Sequence, residues 1–201
     1  EAYVSLRIDL TAMNAYLAEK NKEETEFPYT MFHLVVAALL KTIMLRPKLN
    51  RFIANSNFYQ RNDISASFVV KKQFSDKGAE ALAVMRGKED NTLADVREYI
   101  RQQVTECRSE KVDPTTGVMD YLNKIPRFVS KAAIHILMWL DKHGWVPKDI
   151  IATDPYYNSV VISNLGSIKL KCGYHHLTNW GTNSCFVVIG KKHWTMTYDE
   201  A

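Results

Sequence analysis

The stretch VVISNLGSIKLKCGYHHLTNWGTNSCFVVIGKK, residues 160–192, carries the reading of the fold. Two apolar runs, Val160–Ile162 and Phe186–Ile189, bracket a loop crowded with Ser, Asn, Gly, two adjacent His and a Trp. Short apolar runs bounded by turn residues predict buried strands. The loop between them has two readings. It is a structural turn, or it presents a catalytic site at the end of a sheet.

Working outward, the C-terminal side predicts strands over Cys185–Gly190 and, by alternation, Trp194–Tyr198. On the N-terminal side a Pro-containing turn precedes Val160–Ser163. Before it, Pro126 opens a helix over Arg127–His143, with Phe128, Ala132, Ile136, Leu137 and Leu140 expected inward and Gly144 as its stop. A short helical piece, Val118–Lys124, and a loop, Val112–Gly117, are expected upstream of that. Thr92 and Asp95 form a near capping box for a helix carrying Leu93, Val96, Ile100, Val104 and Cys107 at helical spacing. Ala81–Met85, Ile64–Lys71, Asn57–Tyr59 and Arg51–Ile53 read as strands joined by polar turns. MFHLVVAALLKTIML, residues 31–45, is apolar nearly all round and predicts a deeply buried helix ended by Pro47. VSLRIDL, Val4–Leu10, alternates as a strand. Thr11 is expected to cap a helix over Ala12–Lys20 with Met13, Tyr16 and Leu17 on one face. This order is not the regular alternation of a doubly wound sheet. It predicts an α/β two-layer sandwich, helices packed on a mixed, largely antiparallel sheet.

Composition sets the bounds. The 201 residues suit one domain, 1–201, and the 46% hydrophobic and 24% charged content is that of an ordinary globular protein. The net charge of +4 comes from 26 Lys and Arg dispersed among 22 acids, which points to a solvated surface and to no nucleic-acid partner. The longest apolar run is too short to span a bilayer, and no membrane partner is expected. Cys107, Cys172 and Cys185 have neither metal-type spacing nor an even count, so they read as reduced thiols of a cytoplasmic protein. No third ligand falls at a usual spacing from His175 and His176, so no metal is expected.

The segment ISNLGS followed by FVVIGK resembles the catalytic domain of the dihydrolipoamide acyltransferases, the core subunits of the 2-oxoacid dehydrogenase complexes. That family is related to chloramphenicol acetyltransferase. MFHLVVAALLKTIMLRPKLNRFI is similar to the family helix that ends in proline and then asparagine before a strand, and NDISASFVVKK looks like the strand that carries the core sheet onward. The resemblance runs in order from Val4 to Lys191. The YHHLTNWGTNS loop is more like stand-alone bacterial relatives than like the complex cores, and neither a lipoyl domain nor an Ala/Pro linker is present in this sequence.

The resemblance implies acyl transfer between coenzyme A and a second acceptor, thiol or other, with acyl-CoA as substrate and no permanently bound cofactor. It implies a homotrimer or an assembly of trimers. By position it assigns the oxyanion-stabilising hydroxyl to Ser163 and the substrate-binding surroundings to Asn164, Gly166 and Trp180. The residues alone leave open that Ser163 and Asn164 serve only as turn chemistry. The family's basic His lies in a D-H-R-x-x-D-G motif that is not in this sequence. Asp199 and Glu200 stand where its Asp-His would, so the motif segment is either missing from this sequence or diverged to Glu200. A carboxyl with a pKa of about 4.3 is a poor match for a thiol of about 8.5. His175 and His176 are the other candidate bases, one expected to face the cleft and one to face away. His33 and His135 read as satisfied core groups, His143 as a helix-end cation, and His193 as a turn residue. Trp139 reads as core and Trp180 as the pocket candidate. The competing reading is a non-catalytic trimeric scaffold, or a CoA- or acyl-binding module, that has lost its base. An antibiotic-modifying acetyltransferase has weaker support, because its His-His-x-x-x-Asp-Gly motif is absent: LTNWG follows the two histidines.

Overall fold

Phe68, Ile162, Val36 and Val96 are almost fully buried and come from four different elements, and the architecture is what brings them together. The computed structural model describes residues 2–23, 26–71, 80–108 and 125–196. Within these, α1 spans Thr11–Lys20, α2 Met31–Leu45, β1 Arg51–Ala54, β2 Asn57–Gln60, β3 Ile64–Lys71, β4 Glu80–Gly87 and α3 Leu93–Arg108. There follow α4, Arg127–His143, then α5, Lys148–Thr153, then β5, Val160–Asn164, and β6, Phe186–Ile189. Three short 3-10 turns cover Pro47–Asn50, Pro155–Tyr157 and Leu165–Ile168.

Strands β1 and β2 form a separate hairpin, with Arg51 opposite Gln60 and a turn at Asn55 and Ser56, both at positive φ. The main sheet runs β4-β3-β5-β6. β3 and β4 pair antiparallel from Ile64 opposite Gly87 to Lys71 opposite Glu80. β5 lies parallel to β3, with Ser67 opposite Val161, and parallel to β6, with Ser163 opposite Val188. The expected mixed α/β sheet is therefore present, with two parallel pairings beside one antiparallel. The parallel pairings follow from the long connections that separate β3, β5 and β6.

Side chains alternate across a sheet, and here the two faces differ in kind. One face carries Ala66, Phe68, Val70, Ala83, Met85, Val160 and Ile162, packed against Val36, Leu40 and Ile43 of α2 and Val96 and Ile100 of α3. The other carries Ser65, Ser67, Ser159, Val161 and Ser163. Segment 155–159 covers part of it: Ser67 Oγ donates to the Pro155 carbonyl at 3.1 Å, and Ser65 N–H donates to Ser159 Oγ at 3.0 Å.

Several expectations hold. α2 has the expected bounds, and the Thr92–Asp95 box forms: Thr92 N–H and Oγ donate to Asp95 Oδ2 at 2.8 and 2.7 Å. Gly144 ends α4 at φ 72. His33 is buried, and its Nδ1 accepts from Thr30 N–H at 2.8 Å. Burial, then the charge of Arg97, push its pKa down to about 4, so the ring is neutral with its proton on Nε2.

Other expectations are corrected. Residues 4–10 form no strand, and Val4, Leu6 and Ile8 are exposed, because no strand among the described residues pairs with them. Leu10, not Thr11, is the N-cap residue of α1; just before it Asp9 Oδ1 accepts from Thr11 N–H and Oγ at 2.8 and 2.7 Å. Tyr16 is exposed, and of the expected face only Leu17 is buried. In α4 the stripe Phe128, Ala132 and Ile136 faces out; Leu137 and Leu140 with Ala133 are half-buried. His135 and Trp139 are accordingly exposed rather than core, with His135 Nδ1 bonded to the Lys131 carbonyl at 2.7 Å. The Pro-containing turn before β5 contains helix α5. No strand forms at 194–196. The expected pieces at 112–117 and 118–124, the end of the last strand, and the Cys107 side chain lie outside the described ones.

Candidate active site

Ser163 occupies the C-terminal end of β5, half-buried, on the face away from α2 and α3. Across the sheet it lies opposite Val188 of β6. Its hydroxyl makes no hydrogen bond among the described residues, which leaves its donor uncommitted at a half-buried position. Asn164 follows on the core side of the strand, and its carbonyl accepts from Ser167 Oγ at 2.7 Å. Gly166 lies so near the returning chain that a Cβ would sit 2.8 Å from the Gly190 carbonyl oxygen. Its role is to let the loop after β5 close onto the end of β6.

His175 and His176 differ in what holds them. The His175 ring stacks on Phe186, with centroids 3.9 Å apart and planes 3° from parallel. Its Nδ1 lies 2.5 Å from the His176 carbonyl oxygen. A carbonyl only accepts, so Nδ1 carries a proton, and in the neutral ring the lone pair then lies on Nε2. Phe186 opposes Val161, which puts it on the same face as Ser163, one row away. Rows on one face are about 7 Å apart along a strand. His176 turns to the N-terminal segment, where its Nδ1 is 3.0 Å from Tyr3 Oη. Glu200 lies outside the described residues.

The second half of the loop is a polar knot. Asp141, on α4, accepts from Tyr157 Oη at 2.6 Å and from Gly181 N–H at 3.0 Å. Asp154 accepts from Trp180 Nε1 at 2.5 Å and from Tyr156 N–H at 2.9 Å. The Tyr156 carbonyl accepts from the N–H groups of Thr182 and Asn183. Arg61 closes the knot, donating to the Tyr157 and Thr182 carbonyls, both at 2.5 Å, and to Thr182 Oγ at 2.8 Å, while its guanidinium covers Phe52 at 4.5 Å. Burial pushes its pKa down to about 10. Burial first, and then Asp141, hold the Tyr157 phenol protonated. Gly181 adopts φ +81, and a Cβ there would meet the Tyr156 carbonyl oxygen at 2.5 Å, so only glycine fits. No local pattern announces Arg61, Asp141, Asp154 or Tyr157, because their partners lie 16 to 121 residues away except for Tyr156 beside Asp154.

A groove of 460 Å³ opens beside this knot, lined by Ile53, Asn55, Met138, Trp139, Lys142 and Asn179 among others. Trp139 lines it, whereas Trp180 has its indole N–H committed to Asp154. Cys185 is half-buried, its thiol pKa raised by burial, and Cys172 Sγ donates to the Val188 carbonyl at 3.2 Å. Among the described residues no group of three His, Cys, Asp or Glu is arranged to hold a metal ion.

No family model and no curated protein matches the chain. Solved structures do. A dihydrolipoamide acetyltransferase from Azotobacter vinelandii, solved to probe the roles of a serine, a histidine and an asparagine in its catalytic mechanism, superposes with a TM-score of 0.64 at 15% identity. The match covers 96% of this chain and 63% of that one. The cubic core of the pyruvate dehydrogenase multienzyme complex gives 0.63 at 15% identity, with the same coverage. A probable dihydrolipoamide acetyltransferase from Listeria monocytogenes 4b F2365 gives 0.58 at 12% identity, covering 93% of this chain and 61% of that one. The chain thus spans about three fifths of the length of these structures. At these identities the likeness is one of fold: the chain folds as the catalytic core of the dihydrolipoamide acyltransferases does.

Proposed function

We propose that the chain transfers an acyl group between coenzyme A and a second, thiol-bearing acceptor, with Ser163 as oxyanion donor and His175 as base. One observation carries this reading: a serine hydroxyl that makes no hydrogen bond among the described residues and an imidazole stacked on Phe186 lie on the same face of the sheet. In the reaction the acceptor S–H proton passes to His175 Nε2. The thiolate forms a bond to the thioester carbon, and the carbonyl oxygen takes up negative charge. Ser163 Oγ–H donates to that oxygen. The carbon–sulfur bond to coenzyme A then breaks, and the departing thiolate recovers the proton from the imidazolium. The stack on Phe186 keeps the His175 ring oriented throughout. Asn164 and Gly166 shape the substrate surroundings, and Trp180 stiffens the loop behind them. The fold likeness supports self-association, with a homotrimer or an assembly of trimers as the proposed state, and a cytoplasmic location.

The test is release of coenzyme A from acetyl-CoA in the presence of a dithiol acceptor. Ser163→Ala is expected to lower kcat about 10²–10³-fold, as loss of one oxyanion donor does. His175→Ala is expected to lower it about 10²–10⁴-fold, while His176→Ala leaves it within about threefold. Turnover unchanged in Ser163→Ala overturns the assignment. A second reading is a scaffold or a CoA- or acyl-binding module, favoured by the lack of any hydrogen bond between Ser163 and a histidine among the described residues. Binding of coenzyme A with no turnover under any acceptor would establish it.

A further inference from the structure

Helix α4 is 17 residues long and has no buried residue. Phe128, Ala132, Ile136 and Trp139 follow one another at helical spacing along its outer side. Phe128, Ile136 and Trp139 are 76%, 60% and 51% exposed. Trp145, just beyond the helix, is 62% exposed and stands edge-on to Trp139 with centroids 5.3 Å apart. Beside this stripe runs a second one, Arg127, Lys131, His135 and Lys142, all exposed. The only acid of the helix, Asp141, is half-buried and bonded to Tyr157 and Gly181. The apolar strip continues onto the β1–β2 hairpin, where Ile53 lines the same groove as Trp139 and the opposing Phe58 is exposed.

We propose that α4 docks flat on an anionic lipid surface, with Phe128, Ile136, Trp139 and Trp145 entering the headgroup region and Arg127, Lys131 and Lys142 pairing with lipid phosphates. An apolar strip rimmed by lysine and arginine, with aromatic residues at its ends, is what an interfacial helix requires. At 1.5 Å per residue the strip from Phe128 to Trp139 runs about 17 Å along the surface, and such helices sink about 5–10 Å. A second copy of α4 fits badly, because pairing would bring the unopposed cations together. A soluble partner would have to set acidic groups against Arg127, Lys131 and Lys142 and apolar ones against the strip between them and the hairpin. None of the described helices is long and apolar enough to cross a membrane, so the contact is peripheral.

The experiment is co-sedimentation of the whole chain with phosphatidylcholine vesicles, with and without phosphatidylglycerol, across a salt series. The expected result is binding to the anionic vesicles only, weakening with salt, with a blue shift of tryptophan emission. Ile136→Glu combined with Trp139→Glu is expected to weaken binding at least tenfold. Lys131→Glu and Lys142→Glu each weaken it about fivefold or more, since each cation near an anionic surface contributes about that factor. The altered side chains are mostly exposed, so far-UV circular dichroism is expected to be unchanged. Lys192→Glu, which removes a cation elsewhere, keeps binding within twofold. Absence of vesicle binding, equal binding to neutral vesicles, or binding that survives the double variant overturns the proposal. So does an assembly that the double variant dissociates in sedimentation velocity, which would give the face to a second copy. Capture of soluble polyglutamate without vesicle binding would give it to an acidic protein and overturn the proposal too.

Discussion

Helices α2 and α4 are close in length, 15 and 17 residues, and both carry long apolar runs. α2 buries His33, Val36, Leu40 and Ile43, while α4 buries nothing. The difference is one of partners. α2 lies against a sheet face made of Ala66, Phe68 and Val70 and against α3, and its apolar stripe meets an apolar surface of matching shape. α4 turns Ala133, Leu137 and Leu140 toward the body and leaves its larger residues outside. It is held instead through Asp141, which is tied to Tyr157 and Gly181. Hydrophobicity makes burial favourable for a helix; only a complementary face makes it possible.

The sharpest way to break this contrast is a pair of matched truncations. Leu40→Ala in α2 is expected to cost about 2–5 kcal/mol, transfer and cavity terms together. Ile136→Ala in α4 is expected to stay within about 0.5 kcal/mol. Urea unfolding of both variants measures the gap, and equal losses would mean that α4 is core in solution. Acid separates the helices next. His33 has a folded pKa of about 4 against 6.5 unfolded, its folded value lowered by burial and then by Arg97. Its contribution is therefore fully present above about pH 6.5 and is lost as pH falls toward 4, by up to about 3 kcal/mol. An NMR titration should find the His33 ring neutral down to about pH 4; a midpoint above 6 would contradict its burial.

A smaller effect is expected where α4 is anchored. Asp141→Ala leaves the Tyr157 hydroxyl and the Gly181 N–H without their acceptor and should cost about 1–3 kcal/mol. Hydrogen exchange at Gly181 would quicken in the same variant, and unchanged exchange would show that the knot does not depend on α4. Smallest is the cap of α3. Asp95→Ala removes the acceptor for Thr92 N–H and Oγ and is expected to cost about 1 kcal/mol, read as a shift in the urea midpoint with no change in slope.

The sequence marks the ladder elements well. The bounds of α2, the hairpin of β1 and β2, the Thr92–Asp95 box, the Gly144 stop and the strands β3, β5 and β6 all follow from patterns a few residues long. The site is half legible. ISNLG marks Ser163, and the paired histidines mark the loop. That His175 rather than His176 lies on the Ser163 face of the sheet depends on its stack against Phe186, a contact not written in a spacing. The polar crowding of the loop likewise serves two ends. His175 stacks on Phe186, and Trp180–Asn183 is locked into the knot with Arg61 and Asp154.

The sequence by itself determined most of the element types, the mixed α/β class and the likeness to the acyltransferase core, because periodicity, caps and turn residues act over a few neighbours. Tertiary structure alone decided which apolar stripes are buried, why Val4–Leu10 has no partner strand, and which face of the sheet holds Ser163. Those outcomes depend on surfaces that lie far apart along the chain, 94 residues for Ser65 and Ser159, where shape and hydrogen-bond matching, rather than local pattern, select the contact.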